Sequence, residues 1–255
     1  GGAFQVGSFP GGRWAEWNCH FRDDVRRFWR GDPGLTGAFA SRLAGSADVY
    51  QHHARTPLNS VNFVTSHDGF TLSDLVSYAR KHNEANGEGN RDGMSESFGE
   101  NNGVEGPTDD PAIEAMRARQ VRNLLLTLLV SRGVPMILGG DEFRRSQGGN
   151  NNPWCQDNET SWHDWGLAAR NADLVRFVRC LTALRGAHPA LAAERFYTAA
   201  EIAWIGPEGG APDWHGRDNR LGCIVEEGEG ARIALLFNAG LGPCRFALPP
   251  APPGG

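Results

Sequence analysis

Apolar positions along this chain form two kinds of run. Some are short, continuous and cut off by polar residues; others are longer and repeat at helical spacing. Val61 to Val64 is the first short run, and it leads directly into Ser66-His67-Asp68-Gly69. A run of this length between turn residues predicts a buried strand. Val134-Pro-Met-Ile-Leu138 predicts a second strand and ends in Gly139-Gly-Asp-Glu142. Between them, Met116, Val121, Leu124, Leu125, Leu128 and Leu129 share a helical face. They predict a long buried helix from Asp110-Pro111 to near Gly133, with Asp110 as N-cap and Pro111 in the first turn.

Shorter helices are expected over Phe21–Trp29, stopped by Gly31 and Pro33, and over Leu35–Leu43. Leu72, Leu75, Val76 and Ala79 predict a helix over Leu72–Lys81, and Leu174, Phe177, Val178, Leu181 and Leu184 predict one over residues 173–185. Trp14 to Trp17 reads as a short strand. Two polar stretches, Gly69–Asp110 and Gln147–Asn158, carry no apolar period, and unpatterned loops of such length inside a domain tend to be functional. The order strand, long loop, helix, repeated, is that of an α/β fold with a parallel sheet and its loops at the carboxyl ends. After His188-Pro189 the pattern changes to short strands at Ile202–Ile205, Leu221–Val225 and Ile233–Phe237, separated by Gly/Pro turns. Two domains are expected, over residues 1–192 and 193–255.

Composition narrows the function classes. Apolar residues make up 40% and charged residues 22% of the 255, as in ordinary globular proteins. The net charge is −5 with no basic tract, which argues against a nucleic-acid partner. The longest apolar run, Leu124 to Val130, is too short to span a bilayer, so no membrane partner is expected, and no signal-peptide pattern opens the chain. Five widely spaced cysteines without a C-x-x-C argue against a disulfide framework or zinc site and fit a reducing cytoplasm. His52 and His53 are adjacent and point apart on a regular element, so with His67 they make a poor metal site; no metal and no cofactor is expected.

The candidate chemistry lies at the two strand ends. Asp68 follows one strand, and Asp141 and Glu142 follow the other. Neighbouring strands stand about 5 Å apart, so these carboxylates are expected to converge on one pocket. Paired carboxylates are what glycoside hydrolysis requires. His67 can donate a hydrogen bond to a sugar hydroxyl, and the amides of the flanking loops, Asn151 among them, can both donate and accept. Eight tryptophans suit stacking on sugar faces, with Trp14, Trp17 and Trp154 as candidates. The alternatives are a local turn bond for Asp68, capping or solvated charge for Asp141 and Glu142, and core filling for the tryptophans.

Seven separated stretches carry a family resemblance: FQVGSFP at 4–10, WAEWN at 14–18, FRDDVRRFWRGD at 21–32, NFVTSHDGFTL at 62–72, KHNEANGEGNRDG at 81–93, GVPMILGGDE at 133–142 and GNNNPWCQDN at 149–158. In order and content they resemble the bacterial glycogen debranching enzymes and isoamylases of the α-amylase superfamily. The resemblance implies the C-terminal portion of a (β/α)8 barrel, about its last three βα units, followed by a truncated all-β sandwich domain. It implies retaining hydrolysis of α-1,6 branch linkages in glycogen or limit dextrin, with a branched α-glucan as partner. Asp68 matches the strand-seven carboxylate that stabilises the transition state, and His67 the histidine beside it. Asp141 and Glu142 match the strand-eight end that lines the site; with Asn151 and Trp154 they are the expected substrate-binding residues. The nucleophilic Asp and acid/base Glu of the family precede residue 1, so the chain is expected to be a fragment. An α-glucanotransferase and a non-catalytic glucan-binding module remain alternatives.

Overall fold

The computed structural model describes residues 5–228 and 230–250, the side chain of residue 53 excepted. The opening glycines, the first residue of the FQVGSFP stretch, the end of the Pro-rich tail and the His53 imidazole weighed as a metal ligand lie outside the described residues. The protein is α/β and divides into two compact units. One comprises residues 1–62, 130–135 and 184–255, the other 63–129 and 136–183.

In the first unit, β1 (Glu16–Trp17) and β2 (Ser60–Phe63) run parallel, joined through α1 (Cys19–Arg30), α2 (Thr36–Leu43) and α3 (Ala47–Tyr50). The third strand of this sheet is β3 (Val134–Met136), in the order β1-β2-β3. Gly133 makes that packing possible. A Cβ there would lie 2.6 Å from Asn62 Nδ2, which donates to the Arg132 carbonyl at 2.8 Å. Asn18 caps α1, accepting from the Phe21 N–H at 3.0 Å, while its amide donates to Ser46 and Ser60. Gly31, at φ 92°, ends the helix in the left-handed conformation that glycine adopts without penalty.

The apolar face of α1 explains why it forms. Phe28 stacks on Phe39 of α2 at 3.7 Å between centroids, and Phe39 meets Phe237 edge-on at 5.1 Å. Each such ring contributes roughly 1.5–3 kcal/mol by leaving water. Phe237 lies on β6 (Ala231–Asn238), which pairs antiparallel with β5 (Arg220–Gly228), itself paired with β4 (Ile202–Ile205). The three expected late strands are therefore present, and β5 is the buried centre of their sheet.

The second unit is built on α5 (Pro111–Val130), whose Leu124, Leu125, Leu128 and Leu129 are buried. Asp110 caps it as expected, accepting from the Ala112 N–H at 2.8 Å. Arg117 on α5 is buried and donates to the carbonyls of Asn101, Val104 and Gly106, which pins the long polar loop to the helix. The helix expected over Leu72–Lys81 is only α4 (Leu72–Leu75). Its continuation is diverted by the loop: the Leu75 carbonyl accepts from Glu100 N–H, Val76 from the Asn102 amide and Ser77 from Gly106 N–H. The Ala79 and Arg80 N–H groups turn to the Glu105 carboxylate instead. Likewise β3 stops at Met136, because the Leu138 carbonyl accepts from Asp141 N–H and starts a tight turn. α6 (Gly166–Arg170), α7 (Ala172–Ala187) and α8 (Pro189–Ala192) follow. α3, α6 and α8 are too short to show a period in the sequence. All five cysteines are free, and among the described residues no helix is long and apolar enough to cross a membrane.

Candidate active site

The chain stays buried for three residues past β2, through Val64, Thr65 and Ser66. It then turns outward. The side chains of His67 and Asp68 are 70% and 75% exposed, with His67 Nε2 3.5 Å from Asp68 Oδ2. Gly69 follows at φ 131°, a backbone angle that an L side chain resists, and its N–H donates to the Asn151 carbonyl at 3.0 Å. Phe70 and Thr71 return to the interior, and the Thr71 hydroxyl caps α4 through Asp74 N–H at 3.2 Å. One imidazole and one carboxylate thus stand in solvent on a short turn whose flanks are fixed.

Asp141 does not join them on that surface. It is 1% exposed, accepts from the Thr65 hydroxyl and takes the Leu72 N–H at 2.8 Å. Burial lifts its carboxyl to about 7 against the pull of these two hydrogen bonds, and the charges of Glu142 and Asp74 add to the rise. The expected convergence of Asp68 and Asp141 on one pocket is therefore corrected: desolvation is offset for Asp141 by two donors inside the fold, and its oxygens point there. Glu142 is half-buried and accepts from the Gly140 N–H at 2.9 Å, the local capping bond weighed as its alternative.

Asn151 also lies inside. Its Oδ1 accepts from Asn83 Nδ2 and its Nδ2 donates to the Met94 carbonyl, both at 2.8 Å, while its own N–H goes to Asn83 Oδ1 at 2.9 Å. It holds the 81–94 loop to the 147–152 loop rather than facing outward. The same amide network continues through Asn86, which donates to Asp92 at 2.8 Å and accepts from Asn150 and Gln156. Hydrogen bonds from Asn86 and Asn152 hold the Asp92 carboxyl below the usual range. Trp154 rides this loop 75% exposed. Trp14 and Trp17, on the other unit, are also exposed.

Sequence reasoning missed Asp74, whose buried carboxylate accepts from Ser146 Oγ at 2.5 Å and Gln147 N–H at 2.8 Å, with burial raising its pKa. No sequence signal marked it, because at helical spacing Asp74 falls opposite the face that Leu72, Leu75 and Val76 share. It also passed over Trp162 and Trp165, both exposed, with the Trp162 indole N–H held by Asp157 at 3.0 Å. Among the described residues no cluster of His, Cys, Asp and Glu could hold a metal ion.

No protein-family model matches the chain. It is 49% identical, over an alignment of 273 residues, to the glycogen operon protein GlgX homolog of Mycobacterium bovis, covering 97% of this chain and 38% of that protein. It is 48% identical to the glycogen debranching enzyme of Serratia proteamaculans, covering 97% and 37%. The chain is similar in sequence to part of the glycogen debranching enzymes. The chloroplastic isoamylase 1 of Oryza sativa is 40% identical, with 99% of this chain and 32% of the relative covered. The chain spans about a third of the length of these relatives. Its fold is shared with the pullulanase from Bacillus acidopullulyticus, at TM-score 0.64 and 20% identity over 88% of this chain and 24% of that one. The pullulanase from Paenibacillus barengoltzii in complex with maltohexaose and alpha-cyclodextrin matches at TM-score 0.63 and 24% identity, over 89% and 32%.

Proposed function

We propose that this chain is the Asp68-bearing part of a cytoplasmic glycogen debranching hydrolase that cleaves α-1,6 branch linkages with retention. In this reading residues 1–192 supply about the last three βα units of a (β/α)8 barrel, and residues 193–255 begin a C-terminal β-domain. The nucleophilic Asp and the acid/base Glu come from a preceding segment. Asp68 stabilises the oxocarbenium-like transition state, which carries positive charge that a fixed carboxylate can meet. His67 donates to a hydroxyl of the same sugar, Trp154 offers a ring face, and Glu142 lines the approach. Asp141 and Asn151 serve the substrate indirectly, by holding the loops that present these groups.

The observation that carries the reading is the exposed His67-Asp68 pair at the carboxyl end of a buried strand, on a turn tied down at both flanks. Strand ends of this kind are where α/β folds assemble active sites. The names of the relatives support the substrate class, a branched α-glucan. The exposed tryptophans would also suit a glucan-binding module without chemistry. Turnover of a branched glucan by the complete gene product separates the two. New reducing ends with linear chains released support hydrolysis, lengthened chains support transfer, and retention on glycogen without products supports binding alone. Asp68→Asn is expected to lower kcat by about 10²–10³-fold or more, as loss of a transition-state partner does. A loss of only a few-fold would remove Asp68 from the role.

A further inference from the structure

The turn that presents His67 and Asp68 is gripped at both ends by a single side chain from a distant part of the sequence. Thr65, on the entering side, lies beyond the end of β2, where no ladder of strand hydrogen bonds holds it. Its hydroxyl donates to Asp141 Oδ2. Leu72, on the leaving side, is the first residue of α4, and its N–H has no partner within the helix. That N–H donates to Asp141 Oδ1 at 2.8 Å. The Thr71 hydroxyl is already engaged by Asp74 N–H, so it does not serve Leu72. Asp141 is enclosed and cannot itself reach a sugar.

We infer that Asp141 is a positioning residue for Asp68: its two oxygens clamp the start and the end of the 65–72 turn and so fix where the exposed carboxylate stands. The inference rests on the reading of Asp68 as the group that meets the transition state. The geometry asks for two hydrogen-bonding atoms in one plane and not for a charge. An asparagine satisfies it, accepting from Leu72 N–H through its carbonyl and donating to Thr65 Oγ1 through its amide. An alanine satisfies neither end. Because the turn carries a reacting group, a displacement of about 1 Å costs on the order of 10²-fold in rate.

The test compares Asp141→Ala, Asp141→Asn and Thr65→Val in the complete gene product, with kcat and KM on a branched glucan and hydrogen exchange at the Leu72 amide. Asp141→Ala is expected to lower kcat by about 10²-fold with KM within a few-fold, and to speed exchange at Leu72. Asp141→Asn is expected to restore kcat to within about tenfold of the parent and keep Leu72 protected. Thr65→Val, which removes only the entering-side bond, is expected to lower kcat by about tenfold, and it decides the matter if Asp141→Ala does not fold. The inference is overturned if Leu72 is freed while kcat stays within threefold, or if Asp141→Asn loses as much as Asp141→Ala with Leu72 still protected, since the charge itself would then matter. Absence of turnover in the parent protein would instead sink the debranching reading. An active parent with an unimpaired Asp141→Ala would sink this inference alone.

Discussion

Truncating Asn151 separates a residue that touches a glucan from one that builds the loops around it. Asn151→Ala removes two side-chain hydrogen bonds, from Asn83 Nδ2 and to the Met94 carbonyl, both 2.8 Å long. Asn83 is fully buried, and its amide would keep only the Asp92 carbonyl, at 3.0 Å. Each of the two lost bonds is worth about 1 kcal/mol net, and a buried donor short of an acceptor adds about 1–3 kcal/mol, so roughly 3–5 kcal/mol of local stability disappears. At 1.4 kcal/mol per factor of ten, loop opening becomes about 100- to 4,000-fold more frequent. Amide hydrogen exchange reads this directly. The N–H of His82, held by the Gly149 carbonyl, and that of Asn83, held by Asn90 Oδ1, should exchange faster by that factor until global unfolding takes over. Exchange unchanged within threefold, together with a raised KM on branched glucan, would refute the reasoning and return Asn151 to direct substrate contact.

Phe39→Ala, which removes a fully buried ring between Phe28 and Phe237, should cost about 3–5 kcal/mol, read as a drop in denaturant midpoint. Asp141 holds its proton in the folded state up to about 7, whereas an unfolded carboxyl releases it near ~3.9. The folded state thus binds more protons across that window; its advantage is complete below the lower value and is lost as pH rises through about 7. Urea titrations from acid to neutral pH should show this slope in the parent and lose it in Asp141→Asn. Glu105 behaves oppositely. Desolvation would raise it, but donors from Ala79, His82, Asn101 and Arg80 outweigh that and hold it at about 2, so the stability it lends above the unfolded value fades as pH falls toward 2, visible as earlier exchange at Ala79 and Arg80. Glu142→Gln should lower turnover only a few-fold; complete loss would make Glu142 a reacting carboxylate.

What the sequence made legible was whatever local burial dictates. β2, α5 and the β4–β6 strands lie where continuous or periodic apolar runs must leave water, and Asp110 and Pro111 announce the start of α5 because capping is local chemistry. His67 and Asp68 were readable for the same reason: polar residues and a glycine directly after an apolar run have to emerge. The end of α4 was not, because the carbonyls of Leu75, Val76 and Ser77 are taken by partners more than twenty residues away at Glu100, Asn102 and Gly106. Side-chain direction was equally hidden. A carboxylate after a strand can face solvent, as Asp68 does, or turn inward, as Asp141 does. The choice depends on whether distant donors such as Thr65 and Leu72 stand ready. Asn151 followed the same rule, its amide answered by Asn83.

The amide network also governs how the protein ages. Asn86-Gly87 is the kind of pair in which the glycine nitrogen attacks the asparagine side chain and expels ammonia to close a cyclic imide, which water then opens to an aspartate or its isomer. Here both reactants are occupied: the Asn86 amide is bound by Asp92 and Asn152, and the Gly87 N–H is bound by the Glu84 carbonyl at 3.2 Å. Folded, the loop suppresses its own decay. Once heat or a broken Asn83–Asn151 contact opens it, the new carboxylate would sit against Asp92, where like charges repel and the lost donors cannot be replaced. Loosening would then become permanent, and long storage should leave a chemical scar at residue 86.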